Sequence, residues 1–167
     1  MTQTDQNIEA RKGWMGLLAK APPAQLAALF DTVKPKPGFT WLRPCEVGGV
    51  MLRGRMGGTG APFNLGEMTV THCALKLETG EVGHAYVQGR DKAHAERAAL
   101  IDAMMQTKAG EGLRAKVLDP LQDAMTRAKA DRAAKAAAVR ATTRSNSSYV
   151  QSATSPDGPS KVRNGAP

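Results

Sequence analysis

The sequence predicts an α+β fold in a single domain, with an N-terminal helical hairpin, an antiparallel β-sheet and C-terminal helices. Three observations carry this expectation. Two segments separated by Pro22-Pro23 repeat apolar residues at helical spacing, the middle of the chain holds β-rich runs joined by a tight turn, and a capped alanine-rich helical pattern resumes at Asp91. A chain of 167 residues with a 41% hydrophobic share suits one core with some appended sequence.

In the first segment Thr4 or Asp5 is placed to cap a helix whose Trp14, Leu17, Leu18 and Ala21 fall at i, i+3, i+4 and i+7. Pro22 and Pro23 break that pattern and suit a first helical turn, after which Leu26, Leu29, Phe30 and Val33 repeat the spacing. The run Lys34-Pro35-Lys36-Pro37-Gly38 ends the helical region and releases an extended stretch from Phe39 to Arg43. Val50 to Arg55 alternates loosely as a further strand with one polar side.

Met68 to Leu77 and Val82 to Val87 read as hairpin partners around Glu78-Thr79-Gly80-Glu81. A two-residue Thr79-Gly80 loop would pair Leu75 with His84 and His72 with Val87, sending the two imidazoles to opposite faces; a bulge at Gly80 would shift the register by one and bring them to one face. Asp91 caps a helix to about Gln106, with Ala95, Ala98, Ile101 and Met105 inward. Gly110 and Gly112 mark a loop, and Asp119-Pro120 restarts a basic, Ala-rich helix that continues to about Ala141. The expected organisation is an α+β core over 1–112, a basic C-terminal helix over 113–144 and a disordered Ser/Pro-rich tail over 145–167.

The formal net charge is +8, yet most of the excess follows Thr126: Arg127, Lys129, Arg132, Lys135, Arg140 and Arg144 stand against Asp131. The basic pI therefore describes an extension rather than a binding face, and with a 4% aromatic share and no basic-aromatic interleaving, a nucleic-acid partner is disfavoured. Cys45 and Cys73 form no disulfide framework, no apolar leader is present, and no apolar run approaches a membrane span, so a cytoplasmic protein is expected.

The residue inventory argues against independent catalysis. Every serine lies at or after position 145, which excludes a Ser-His-Asp centre in the core. Cys73 alternates with Leu75 and Leu77 and reads as a small buried hydrophobe. His72, His84 and His94 assemble no ligand set with a carboxylate, and three clustered cysteines for an iron-sulfur centre are missing. No catalytic, cofactor-binding or metal-ligating residue is assigned.

The densest feature runs from Arg53 to Glu67, with five glycines in fifteen residues and two arginines. It matches neither a P-loop nor the dinucleotide fingerprint. Two readings stay open: a phosphate cradle built on Arg53 and Arg55, or a glycine-rich turn that docks on another chain with Phe63 as an apolar plug, the latter preferred. The candidate residues are Arg53, Arg55, Gly57, Gly58, Gly60, Phe63, Asn64 and Glu67, with Arg90 and Asp91 second, where a helix N-terminus beside an arginine offers an anion site or simply a cap.

These residues carry a family resemblance. Arg11-Lys12-Gly13-Trp14-Met15, Leu42-Arg43-Pro44-Cys45-Glu46, the arginine-glycine block, Met68-Thr69-Val70-Thr71, Gly83, Tyr86-Val87-Gln88-Gly89-Arg90-Asp91 and Ala98-Ala99-Leu100-Ile101-Asp102-Ala103 together resemble the G subunit family of the bacterial phosphonate carbon-phosphorus lyase system, over most of residues 11 to 107. The sequence departs from that pattern at His72, Cys45 and the long tail. The resemblance implies a non-catalytic subunit of a complex with the H, I and J subunits and the L protein. It would support the I subunit in replacing adenine on MgATP with a phosphonate, giving ribose 1-phosphonate 5-triphosphate. The S-adenosylmethionine and iron-sulfur chemistry of the system lies on other subunits, and this chain would hold no cofactor of its own. The alternative is a phosphate- or nucleotide-binding component that lends arginines to a shared active site.

Overall fold

Apolar residues at helical spacing build the first two helices of the computed structural model, which describes the backbone of residues 3–152 and the side chains of residues 6–140. Helix α1 spans Gln3–Lys20, so Thr4 and Asp5 fall inside its first turn rather than ahead of it. Helix α2 spans Pro23–Asp31, with proline at the first position and Leu26 and Phe30 buried. The principal neighbour of α2 is helix α3 (Lys92–Met105), and α1 packs on α3 and on the sheet. The hairpin is thus a pair of consecutive helices that share a common seat.

Three strands follow in the antiparallel order β1-β2-β3: β1 Phe39–Arg55, β2 Pro62–Leu77 and β3 Val82–Gln88. The stretches expected separately at 39–43 and 50–55 are one strand. Pro44 has no N–H to give a ladder, and the register shifts on either side of Arg43 absorb it while β1 stays paired with β2 along its length. β2 also begins earlier than Met68, because the glycine-rich block is itself paired as strand.

The β2–β3 connection settles the imidazole register. Leu77 N–H donates to the Glu81 carbonyl at 2.9 Å, Gly80 N–H donates to the Leu77 carbonyl at 3.0 Å, and Gly80 has φ 108°. This is a three-residue loop with a glycine bulge, not a two-residue turn. His72 therefore pairs with Tyr86 and Ala74 with His84, which puts both histidines on one face.

The other face holds the core. Cys73, Leu75 and Leu77 of β2 and Ala85 and Val87 of β3 pack against α3, whose Ala95, Ala98, Ile101 and Met105 are buried as expected. Asp91 caps α3, its Oδ1 accepting from His94 N–H at 2.9 Å. Beyond α3, the loop expected at Gly110 and Gly112 is a short helix α4 (Gly110–Leu113) running into a π-helical turn, Arg114–Leu118. Asp119 is not a cap. Its N–H donates to the Arg114 carbonyl five residues back, and helix α5 continues without interruption over Asp119–Ser152. The wide turn lies directly before Pro120, which has no N–H and would leave a regular helix short of one bond.

The chain divides into two units at Met125/Thr126. The first contains the sheet, α1 to α4 and the start of α5. The second, as far as described, is the continuation of α5, whose side chains from Thr126 to Arg140 are exposed and largely alanine or charged. The helix extends past Arg144, and positions 153–167 of the expected tail lie outside the described residues.

Candidate functional site

β3 pairs with β2 only from Val70 to Lys76, whereas β1 and β2 stay paired from Phe39↔Leu77 out to Arg55↔Pro62. The outer part of that pair, from Gly49↔Thr69 to Arg55↔Pro62, is a two-stranded arm without a third strand. The block read as a long glycine-rich turn is mostly this arm. Only Met56 to Ala61 forms the tip, which includes a 3-10 turn at Met56–Gly58.

Each glycine of the arm has a different task. Gly57 (φ 59°) and Gly58 (φ 85°) take the left-handed backbone the tip needs. Gly60 N–H donates to the Met56 carbonyl at 2.8 Å, and a side chain at Gly60 would stand 2.6 Å from that oxygen. Gly54 pairs with Phe63, whose ring lies 3.6 Å from where a Cβ at Gly54 would be, with Leu65 alongside at 3.9 Å. An aromatic ring laid over a strand glycine restores the contact that glycine omits.

Strand alternation makes the arm two-faced. Val50, Leu52, Phe63, Leu65 and Met68 share one side, and Met51, Arg53, Arg55, Asn64 and Glu67 share the other. The apolar side is open: Phe63 is 42% exposed and Leu65 64%, with Met56 at the tip 74% exposed. On the polar side Arg55 Nη1 donates to the Gly60 carbonyl at 3.2 Å and stiffens the tip. Arg53 stands opposite Asn64 and, among the described residues, has no side-chain partner.

Arg90 and Asp91 are not gathered into this cluster. They follow Gly89, whose N–H donates to the Thr69 carbonyl at 2.9 Å, at the root of the arm. Thr69 and Asn64 are five strand positions apart, roughly 16 Å along the strand, so Arg90 and Arg53 do not form a common anion site at that root. Asp91 is occupied as a cap.

Sequence reasoning passed over the most densely bonded polar group in the described molecule. Asp102 on α3 is fully buried and accepts from Arg11 Nε (3.1 Å) and Nη2 (2.7 Å), from Trp14 Nε1 (2.9 Å) and from His84 N–H (2.9 Å). Arg11 Nη2 and Gln106 Nε2 also donate to the Val82 carbonyl at 3.0 and 2.9 Å. These bonds satisfy the outer edge of β3 and tie α1, β3 and α3 together. The signal was the presence of Arg11, Trp14 and Asp102 in the motifs that carry the family resemblance.

Neither cysteine is poised as a nucleophile. Burial raises the pKa of the Cys73 thiol, with the hydrogen bond it donates to Cys45 adding to it, and burial also raises that of Cys45, whose Sγ donates to the Lys92 carbonyl at 3.5 Å. His94 is buried, and its Nε2–H donates to the Leu18 carbonyl at 2.9 Å, closing the end of α1. His72 stacks edge-on against Tyr86 with ring centroids 5.2 Å apart. Among the described residues no three His, Cys, Asp or Glu side chains are placed to share a metal ion.

Comparison with known proteins places this chain in a family. Residues 9–143 match the family described as phosphonate metabolism protein PhnG, a span that takes in both the arm and the basic part of α5. Over 108 residues the chain is 44% identical to the alpha-D-ribose 1-methylphosphonate 5-triphosphate synthase subunit PhnG of Rhizobium meliloti (strain 1021), covering 65% of this chain and 69% of that protein. With the family pattern extending from α1 into α5, this chain belongs to the PhnG family of phosphonate metabolism proteins.

Proposed function

We propose that this chain is an assembly subunit that holds the catalytic I subunit of the synthase through its β1–β2 arm and performs no bond-making step itself. Membership of the family makes it a subunit of ribose 1-methylphosphonate 5-triphosphate synthase in phosphonate metabolism. The observation that supports a docking role is the arm: a two-stranded ribbon with one apolar face open to solvent along Leu52, Phe63 and Leu65. A ribbon of this kind is marginal in water by itself, and covering its apolar side with a partner both orders it and removes that surface from water. The chemistry then belongs to other chains: MgATP on the I subunit, S-adenosylmethionine and an iron-sulfur cluster on J, with H and the L protein completing the set.

Arg53 favours one second reading. Its unpaired guanidinium on the polar side of the arm is free to pair with a phosphate in a shared site. Co-purification with the I subunit beside steady-state kinetics separates the two. Docking predicts that Phe63→Ala lowers association by about tenfold or more while Arg53→Ala has the smaller effect. A phosphate contact predicts that Arg53→Ala spares assembly and raises KM for ATP or phosphonate. Normal assembly by Phe63→Ala overturns the docking role.

A further inference from the structure

A cleft remote from the arm lies between the α2–β1 connection, the β2–β3 turn and the segment from Thr107 to Lys116, and it has a volume of about 610 Å³. That is the size of a small-molecule site rather than of a packing defect. Its floor is apolar, made by Val33, Leu77, Met104 and Leu113, each less than a tenth exposed. Three lysines line it from three separate segments: Lys34 after α2, Lys108 after α3 and Lys116 in the π-helical turn. Glu111 is the one carboxylate among the lining residues.

Four cations of the described molecule are held by carboxylates, in the pairs Lys12–Glu9, Lys36–Asp31, Arg43–Glu46 and Arg11–Asp102. None of the three cleft lysines has an ion-pair or hydrogen-bond partner among the described residues. Three like charges gathered around an apolar floor repel one another, and an anion placed between them relieves that repulsion more than any neutral ligand does. The floor adds a demand for hydrocarbon.

We propose that this cleft binds a small amphiphilic anion, with a phosphonate or carboxylate head among Lys34, Lys108 and Lys116 and a hydrocarbon body on the floor formed by Val33, Leu77, Met104 and Leu113. The inference stands apart from the arm and does not depend on the docking role. Gly112 supplies a clean block: it lines the cleft, a Cβ there meets nothing within 4 Å, and its backbone is not in the left-handed region, so Gly112→Phe fills the cleft without straining the chain.

The test uses the full chain and isothermal titration with phenylphosphonate, benzoate and inorganic phosphate. Phenylphosphonate should bind saturably at one site per chain. Lys108→Glu with Lys116→Glu, and separately Gly112→Phe, should each weaken it about tenfold or more while the thermal melt stays within a few degrees of the parent. Tighter binding of phenylphosphonate than of benzoate assigns a phosphonate ligand, and the reverse order assigns a carboxylate. The absence of saturable binding by both aromatic anions overturns the proposal, as does binding that survives both the charge reversal and the Gly112 block. Inorganic phosphate binding as tightly as the aromatic anions also overturns it, because the floor would then play no part.

Discussion

At the scale of single residues, the polar group that matters most to the fold is Asp102. A buried carboxylate is stable only when its lone pairs are taken up, and here a bidentate arginine, an indole N–H and a strand N–H do so. Asp102→Ala orphans the Trp14 and His84 donors, and should cost about 3 kcal/mol in urea unfolding. Trp14→Phe keeps the carboxylate paired and should cost about 1 kcal/mol for the lost bond. Equal costs would show that the loss lies in ring packing. A second expectation concerns the thiols: because burial raises both pKa values, the native chain at pH 8 should react with a disulfide reagent at least about tenfold more slowly than the urea-unfolded chain. Of these features, the buried Cys73 and the Asp91 cap were readable in the sequence because each rests on neighbours two or three positions away. Asp102 was not, since its partners come from α1 and β3 and helical spacing carries no information about them.

At the scale of elements, local rules read the helices well and the strands less well. Proline at the start of α2 and aspartate before α3 are signals with one outcome. The strands depended on pairing. β1 swallowed Pro44 because bulges formed around it, and the five-glycine block became ribbon because Phe63 covers Gly54. The β2–β3 turn had two registers consistent with its sequence, and Gly80 at positive φ selected the one that puts His72 and His84 together. Asp119-Pro120 carried the usual start signal, yet a π-helical turn let the helix pass through it. Gly83 illustrates how an element junction depends on one missing methyl. A Cβ there would lie 2.0 Å from the Ala99 carbonyl oxygen and 2.9 Å from Ala103, both on α3, so the helix seats directly on the strand backbone. Gly83→Ala must push β3 and α3 apart and should cost about 3 kcal/mol or more, read as a lower urea midpoint. An unchanged midpoint would mean that α3 slides freely on the sheet.

At the scale of the whole molecule, the α+β class and the order of its elements followed from periodicity, whereas the arm did not, because nothing in a single strand's pattern says where its neighbour stops. β3 ends its pairing at Val70, and past that point β1 and β2 hold only each other. The sheet inside that limit is covered by α3 and α1, and the outer edge of β3 is sealed by Arg11, Gln106 and Asp102, so the backbone bonds of β2 from Val70 to Lys76 are protected by both core and neighbours. The arm has neither kind of protection. Opening it exposes limited additional apolar surface, since Leu65 is already largely in water and Phe63 partly so, and its free energy of opening lies near the low end of the native range. In hydrogen exchange on the isolated chain, amides from Met51 to Arg55 and from Phe63 to Glu67 should therefore exchange at least about a hundredfold faster than those from Thr71 to Leu75. Addition of the I subunit should slow the arm amides toward the sheet value and leave the sheet unchanged, because covering the apolar side makes opening cost the interface as well. Phe63→Ala should abolish that slowing without altering exchange in the sheet. Arm amides as slow as the sheet in the isolated chain would mean that the ribbon is stable unaided, and the physical ground for a docking arm would be gone.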